Sequence, residues 1–299
     1  MNRINSSSLC HFTKEMTTLK AIISKGLRFS YALEKYSQEI IKSGLMPFCP
    51  ETLNETSLNC YVAIPMISFC DIPITRASEH IAHYGKYMIG FNKKNLASAY
   101  ENVLNPVIYV NSPNLRDAMI FMGYQKGKVS KELLSAFSHQ RIKEMIGDGN
   151  VFNEKEFSEL VNPAINFRFY VNFLLGLVKP VEDENRYYYN EREWRAFKVD
   201  NADIRTDWYW GITKEEFNDS KDVWNEEIEF SEDGFITIPP ECIDEYISHI
   251  VVSREEEKDE IIDFIMDNDI LFGYENDFDY TRLKLISKLS SMEQIENDF

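Results

Sequence analysis

Two short elements of the sequence carry side chains that could act on a ligand. His11 and Thr13 stand in the run His-Phe-Thr, directly before a segment of helical periodicity that stops at Gly26. A histidine at the end of a strand could present its imidazole, which is both donor and acceptor, to a ligand at the mouth of the next helix. The alternative is structural: His11 bonds to backbone and Thr13 caps the helix.

The second element is Glu-Arg-Glu-Trp-Arg at residues 191–195. On a strand, Glu191 and Glu193 share a face with Arg195, because successive side chains alternate. Two carboxylates this close repel each other unless a cation or a catalytic role holds them there. The pair could stabilise a cationic transition state or activate a hydroxyl nucleophile. The alternative is a surface ladder in which Arg195 neutralises the acids and Trp194 anchors the strand in the core.

A third segment, residues 65–91, offers little chemistry of its own. Pro73 suits the first turn of a helix, with Asp71 near its N-cap. His80 and His83 are spaced like metal ligands, but no third ligand has matching spacing, so we expect no metal site. Cys70 lacks an accompanying His and Asn, so we expect no cysteine nucleophile.

Composition narrows the class of protein. The chain has 299 residues, 44% of them hydrophobic, which predicts a folded globular protein. A net charge of −17 opposes general binding to nucleic-acid phosphates, although a few local cations could still hold a small nucleotide. Five scattered cysteines indicate free thiols in a reducing compartment. The sequence shows no signal peptide and no apolar run of bilayer length, so we expect a cytoplasmic protein.

The periodicity predicts strands, then a block of helices, then strands again. This order is typical of an α+β fold, here a single domain over residues 1–299 with a helical insertion at 114–179. The predicted helices cover residues 14–25, 33–41, 73–84 and 255–266, and the predicted strands cover 28–32, 61–69, 86–91, 105–111, 185–199, 234–240, 246–253 and 282–287.

Taken in order, these elements resemble the AbiGi family of abortive phage-resistance proteins. The resemblance rests on HFT with LKAIISKGL, on PMISFCDIPITRASEHIAHYGKYMIGF running into NPVIYV, and on EREWR. The middle segment is the most specific of the three. The resemblance implies an antitoxin-like member of a bacterial abortive-infection pair, whose toxin partner looks like a nucleotidyltransferase.

A more distant likeness concerns fold and chemistry. An early His-x-Thr before a helix, followed by a late strand glutamate, is similar to the ADP-ribosyltransferase fold, with its mixed, largely antiparallel sheet. That likeness implies NAD as a possible substrate. His11 and Thr13 would contact the ribose of NAD, and Glu193 would stabilise the oxocarbenium-like transition state as nicotinamide leaves. Glu191 would activate the acceptor.

The likeness leaves the middle of the site open between two branches of that fold. In the His-Tyr-Glu branch, Tyr84 and Tyr87 are candidates for the tyrosine. In the Arg-Ser-Glu branch, Arg28 would be the first-strand arginine and Ser68 the serine. Phe12 stands where many enzymes of the first branch have glycine.

Two functions of different class follow. The protein is either a non-catalytic or conditionally active component of a phage-defence pair, neutralising a toxin through its acidic surface, or an NAD-dependent mono-ADP-ribosyltransferase that modifies a protein or nucleic acid. Pocket geometry distinguishes them. The enzyme requires that His11 and Glu193 line one cleft, whereas a Glu193 locked to Arg195 away from that cleft favours the non-catalytic protein.

Overall fold

A computed structural model describes residues 6–35, 61–101, 103–110, 176–180, 188–198, 209–231 and 233–298. In these parts of the chain the fold is mixed α/β, with a sheet that is largely antiparallel. The strands are β1 (Ser8–Thr13), β2 (Leu27–Arg28), β3 (Ser30–Lys35), β4 (Tyr61–Cys70), β5 (Tyr87–Asn92), β6 (Leu104–Pro106), β7 (Ile108–Val110), β8 (Val178–Pro180), β9 (Glu193–Phe197), β10 (Tyr209–Ile212), β11 (Phe235–Ile236), β12 (Ile247–Val252), β13 (Ile270–Leu271), β14 (Tyr274–Glu275) and β15 (Leu289–Ser291). The helices are α1 (Met16–Lys25), α2 (Ser78–Tyr84), α3 (Lys93–Ala99), α4 (Lys214–Glu229), α5 (Ile243–Tyr246), α6 (Lys258–Asp267), α7 (Asp279–Ile286) and α8 (Met292–Asp298), with 3-10 turns at Ile74–Arg76, Tyr188–Glu191, Pro240–Cys242 and Glu255–Glu257.

Strand β4 is the centre of the main sheet, whose order is β15-β12-β5-β1-β4-β9-β6. β4 also pairs with β3 over its first half and with β10 at its start, so within the described chain it has four neighbours. β1 and β9 both pair with β4 at Cys70, and β3 overlaps β9 at Met66 and β10 at residues 61–63. Strands that pair at the same position must lie on opposite edges, so β1 and β3 occupy one edge of β4 and β9 and β10 the other. A strand of this kind is buried on both faces, and nine of its ten residues are buried.

Each face of the sheet packs against its own apolar cluster, and alternate side chains of a strand contribute to one cluster or the other. On β1, Leu9 belongs to the larger cluster, which includes Leu19 of α1 and Ile261 of α6. The neighbouring Cys10 and Phe12 belong to a second cluster on the opposite face. Consecutive residues of a strand point to opposite faces, so one short strand contributes to both halves of the core.

Several predicted elements are confirmed. Helix α1 ends at Gly26, as its apolar spacing indicated, and β4 is the central strand predicted for residues 61–69. Strand β5, strand β12 and the acidic helix α6 also lie where they were predicted.

Some local predictions were wrong. Residues 33–35 are strand rather than helix, because β3 pairs residue for residue with Tyr61–Met66 of β4. The segment 282–287, predicted as a strand, lies mostly in α7, where Leu285 is fully buried and Leu283 is 59% exposed. Asp71 caps no helix; it binds Lys93 and the backbone N–H of Ser6 instead.

Most of the predicted helical insertion, residues 114–175, lies outside the described residues, as do residues 36–41 of the second predicted helix. Where the description resumes, Val178–Pro180 is strand β8, which pairs parallel with β7, so the end of that predicted helical block is extended. No helix in the described parts of the chain is long and apolar enough to cross a membrane.

Gly26 provides a test of how α1 joins the rest of the fold. Its φ is +92°, and a Cβ at this position would lie 2.4 Å from the carbonyl oxygen of Ile236. We expect Gly26→Ala to lower the free energy of unfolding by more than about 1 kcal/mol, because the strained backbone and a backbone neighbour both oppose the methyl group. Urea unfolding followed by circular dichroism measures the change.

Gly90→Ala is the matched control. Its added Cβ would meet the Ser248 side chain at 2.9 Å, and a side chain can move where a carbonyl in a strand cannot. Equal losses for the two variants would contradict the explanation given for Gly26.

Candidate functional site

A cavity of about 430 Å³ lies between α1 and the sheet. β1 pairs with β4 at Cys70 and β3 pairs with it up to Met66, so on this edge of β4 residues 67–69 have no strand partner in the described chain, although β9 pairs with them on the other edge. The cavity lies at this gap between β1 and β3. It is lined by His11, Thr17, Thr18, Ala21, Ile22, Lys25, Gly26, Arg28, Ser30, Met66, Ile67, Ser68, Glu229 and Phe235.

Three of the predicted site residues, His11, Arg28 and Ser68, therefore line one cavity. The Nδ1 of His11 lies 2.9 Å from the carbonyl oxygen of Ser68. Because a carbonyl only accepts, Nδ1 carries the proton in this bond and Nε2 is left as an acceptor. Burial lowers the pKa of His11 and outweighs the opposing effect of that bond, so the ring is neutral at neutral pH.

The cations at the cavity share one carboxylate. Lys25 and Arg28 each lie 2.7 Å from an oxygen of Glu229. The hydrogen bond from Lys25, together with that from Arg28, lowers the pKa of Glu229 against a smaller effect of burial. An anionic ligand entering here would have to compete with Glu229 for both cations.

Glu193 lies in a different environment, with both carboxylate oxygens occupied. Its Oε1 accepts from the Ser68 hydroxyl at 2.9 Å and from Arg195 Nε at 2.8 Å. Its Oε2 accepts from Lys179 at 3.0 Å and from Arg195 at 3.1 Å. Burial opposes ionisation of Glu193, but the charges of Arg195 and Lys179 outweigh it and hold the pKa of that carboxyl below its usual range.

Arg195 and Lys179 extend this cluster through the protein. Arg195 is completely buried, and it also donates to the carbonyl of Gly176 at 2.7 Å and to Glu34 at 2.9 Å. Lys179 bridges Glu193 and Glu191, with Glu191 at 2.9 Å. Burial alone would lower the pKa of Lys179, but the carboxylates of Glu193 and Glu34 raise it. We call the side chains of Glu34, Lys179, Glu191, Glu193 and Arg195 the buried ion cluster.

The strand register places the buried ion cluster and His11 on different faces of the sheet. Cys10 pairs with Cys70, and Cys70 pairs with Glu193, so these three residues form one row on one face. His11 follows Cys10 and points to the other face. Ser68 joins the two sides, because its carbonyl accepts from His11 and its hydroxyl donates to Glu193.

Contrary to the prediction, Glu191 and Glu193 are not neighbours on the face of one strand. Glu191 ends a 3-10 turn, and Arg192 has a φ of +44°, so the strand begins only at Glu193. The two carboxylates come together because Lys179 binds both. A cation thus offsets the repulsion between the two carboxylates, as the sequence allowed. The pair is buried and not on the surface, because Glu191 is only 3% exposed.

The remaining predicted residues lie away from the cavity. Thr13 pairs with Tyr87 across β1 and β5 and does not cap α1, whose N-cap is Glu15. Tyr87 donates its hydroxyl to Glu257 at 3.0 Å. Tyr84 packs with the second apolar cluster, near the ring of His80 at 6.0 Å.

The cysteines of the row are poor nucleophiles. Burial, with a further contribution from the charge of Asp71, raises the pKa of Cys10 to about 12. Burial also raises the pKa of Cys70 well above its ordinary value, with Cys10 and Glu193 adding to it. Both thiols are protonated at neutral pH, and a thiolate is the reactive form.

Sequence reasoning missed Lys179 and Tyr109. Tyr109 accepts a hydrogen bond from the backbone N–H of Glu193 at 2.9 Å, which helps to orient the strand. Lys179 did leave a signal: a single lysine ends the apolar run Phe-Leu-Leu-Gly-Leu-Val before Pro180. When the apolar residues of such a run are buried, the adjacent lysine is buried with them, and a buried lysine needs carboxylate partners.

Comparison with protein families gives one result that bears on function. A family model described as abortive phage resistance protein AbiGi, antitoxin, matches residues 42–233, which is more than half of the chain. Searches of curated proteins and of solved structures returned no match.

The buried ion cluster makes a prediction about stability. We expect Lys179→Met to lower the free energy of unfolding at pH 7 by about 3 kcal/mol or more, because it leaves two buried carboxylates without a shared cation. Urea unfolding measures the difference.

Lys25→Met is the control, since its side chain is 59% exposed and shares Glu229 with Arg28. Its effect should be a small fraction of that of Lys179→Met. A loss for Lys179→Met no larger than that for Lys25→Met would show that the cluster contributes little.

Proposed function

The chain belongs to the AbiGi family of abortive phage-resistance antitoxins and is thus a component of abortive-infection defence; from this premise we propose that it neutralises a toxin partner without catalysis. The partner, by this proposal, is a protein that arrests growth of the infected cell. The protein acts by binding it and needs no cofactor.

One observation carries the non-catalytic part of the proposal. The Glu193 carboxylate, the group with the strongest claim to a catalytic role, accepts four hydrogen bonds from three side chains. An ionised carboxylate has about four acceptor positions in all, so a substrate hydroxyl would have to displace a partner. A carboxylate paired to two cations is also a weak base and a weak stabiliser of new positive charge.

Charge supports the binding part of the proposal. The net charge of −17 gives the protein a negative field that attracts a basic protein surface and repels nucleic acid. Neutralisation by masking would use this field to speed association.

Co-expression tests the proposal. The product of the neighbouring gene should slow or stop growth when it is expressed alone, and expression of this protein in the same cells should restore growth. An early stop codon in this gene is the control, because it leaves the transcript and removes the protein. If the partner is equally toxic with the intact gene and with the stop codon, the proposal fails.

A second candidate function rests on the cavity that joins His11, Arg28 and Ser68. In this alternative the protein is an NAD-dependent mono-ADP-ribosyltransferase on an ADP-ribosyltransferase-like fold. His11, with a free acceptor at Nε2, would contact the ribose, whereas Thr13 lies outside the cavity lining. Glu193 would have to reach the ribose from the other face of the sheet to stabilise the developing oxocarbenium ion, and Glu191 would activate the acceptor. Release of Glu193 from Arg195 would have to accompany substrate binding.

Incubation with labelled NAD⁺ and cell lysate tests the second candidate. It predicts label on protein or nucleic acid, release of nicotinamide, and loss of both in His11→Ala and Glu193→Gln. Glu229→Gln, at the cavity but outside the assigned catalytic groups, should keep the activity. Absence of both label transfer and nicotinamide release with the wild-type protein would remove this candidate.

A further inference from the structure

An exposed apolar surface lies near the C-terminus, outside the segment matched by the family model. It is formed by the end of α6, the β13–β14 hairpin and the start of α7. Its side chains, here named the C-terminal apolar surface, are Met266 (43% exposed), Ile270 (44%), Phe278 (66%), Tyr280 (67%) and Leu283 (59%). Tyr274 is not part of it, because it pairs with the buried Leu271 and points to the opposite side of the hairpin from Ile270. Scattered single apolar residues are normal on a surface, but five this exposed within a short span are typical of an interaction site.

These elements surround one buried guanidinium. Arg282, in α7, donates to the carbonyl of Ile265 at 3.2 Å and to that of Asn268 at 3.1 Å, both at the end of α6. It also lies 3.7 Å from the carboxylates of Asp269 and Asp279. The last turn of α6, the start of the hairpin and the first turn of α7 are therefore neighbours, and their exposed side chains belong to one region.

The backbone beneath the C-terminal apolar surface is fixed. Phe272 and Gly273, at the hairpin turn, donate their N–H groups to the carbonyls of Ile23 and Ser24 at 2.7 Å each, which ties the hairpin to α1. On α7, Thr281 and Leu285 are buried on the opposite side from Tyr280 and Leu283. A rigid surface loses little conformational freedom on binding.

The surroundings of this surface are acidic. Between residues 263 and 280 the chain has six carboxylates and no lysine or arginine: Asp263, Asp267, Asp269, Glu275, Asp277 and Asp279. All six are exposed. The nearest cations are engaged, since Arg282 is buried and Lys284 lies over the ring of Tyr280 and 3.4 Å from Asp244.

We propose that the C-terminal apolar surface is the docking site for the toxin of the pair, a protein with an apolar patch bordered by lysine or arginine. The inference rests on the proposed function and adds where the toxin binds. Charge complementarity selects this occupant. A second copy of this chain would bring the same carboxylates face to face, and nucleic acid would bring phosphates against them.

The size of the surface agrees with this occupant. Phe278 and Tyr280 are each about two-thirds exposed, and an aromatic side chain buries on the order of 150–250 Å² in an interface. With the three other side chains, this gives an apolar centre for one side of an interface of about 800 Å² per partner. Aromatic anchors inside a charged border are the usual arrangement of such interfaces.

Binding of the full-length protein to the purified product of the neighbouring gene tests the inference. We expect Phe278→Ser with Leu283→Ser to weaken binding by at least about tenfold, mainly through faster dissociation. We expect Glu275→Lys with Asp277→Lys to slow association, and the difference from wild type to shrink at high salt. Surface plasmon resonance at two salt concentrations measures both rates.

Matched controls lie on α4, where Val223 is 56% exposed and Asp219 and Asp222 are also exposed. Val223→Ser, and Asp219→Lys with Asp222→Lys, should each bind within about twofold of wild type. Thermal unfolding verifies that every variant is folded, and the charge-reversed pair provides the test if the apolar pair is unstable.

The outcomes separate this inference from the function beneath it. If the wild-type protein neutralises and binds the partner, but the surface variants bind as tightly as the controls, the docking site is wrong and the proposed function stands. If it neutralises without measurable binding, the docking site is wrong and so is the proposal that neutralisation acts through binding. If it neither neutralises nor binds, the proposed function itself fails. A dimer of this chain alone that Phe278→Ser with Leu283→Ser dissociates would assign the surface to a second copy and overturn the inference.

Discussion

The architecture depends on the contacts of one fully buried guanidinium group, that of Arg195. Arg195 cannot lose its charge, so every contact around it must compensate for its removal from water. The compensation comes from Glu193 on its own strand, Glu34 on β3 and the carbonyl of Gly176. These groups come from parts of the chain far apart in sequence. Their convergence fixes how β3, β9 and the chain before β8 meet around β4.

The same constraint determines what the candidate site can do. Because Lys179 and Arg195 both bind Glu193, any catalytic use of that carboxylate would have to displace a cation in the core. The cavity on the other face retains His11 and Ser68, and its two cations, Lys25 and Arg28, share the single carboxylate of Glu229, which leaves one positive charge in excess. The molecule thus separates an open cavity from a closely packed cluster of buried charges, with Ser68 between them.

Much of the fold could be predicted because its signals are local. The periodicity of α1, its stop at Gly26 and the continuous apolar run of β4 each depend on neighbouring residues alone. The failures involve distant partners. Residues 33–35 have no strand signal without β4 beside them, and Asp71 binds Lys93 instead of capping a helix.

At the candidate site, the sequence allowed prediction of which residue types are present, but not of the face of the sheet to which each side chain points. Only the register through Cys10, Cys70 and Glu193 shows that His11 and Glu193 point to different faces, and a register between distant strands cannot be read from either strand alone.

The pairing of β5 has a consequence for how the family segment relates to the folded protein. β5 lies within residues 42–233, but both of its sheet neighbours, β1 and β12, lie outside them. A polypeptide cut to the family segment would leave both edges of a buried strand bare, and unpaired edges recruit strands from other molecules into aggregates. The stretch matched by the family model is therefore shorter than the stretch that completes the sheet, and β1 and β12 cover both edges of β5 against pairing with strands of other molecules.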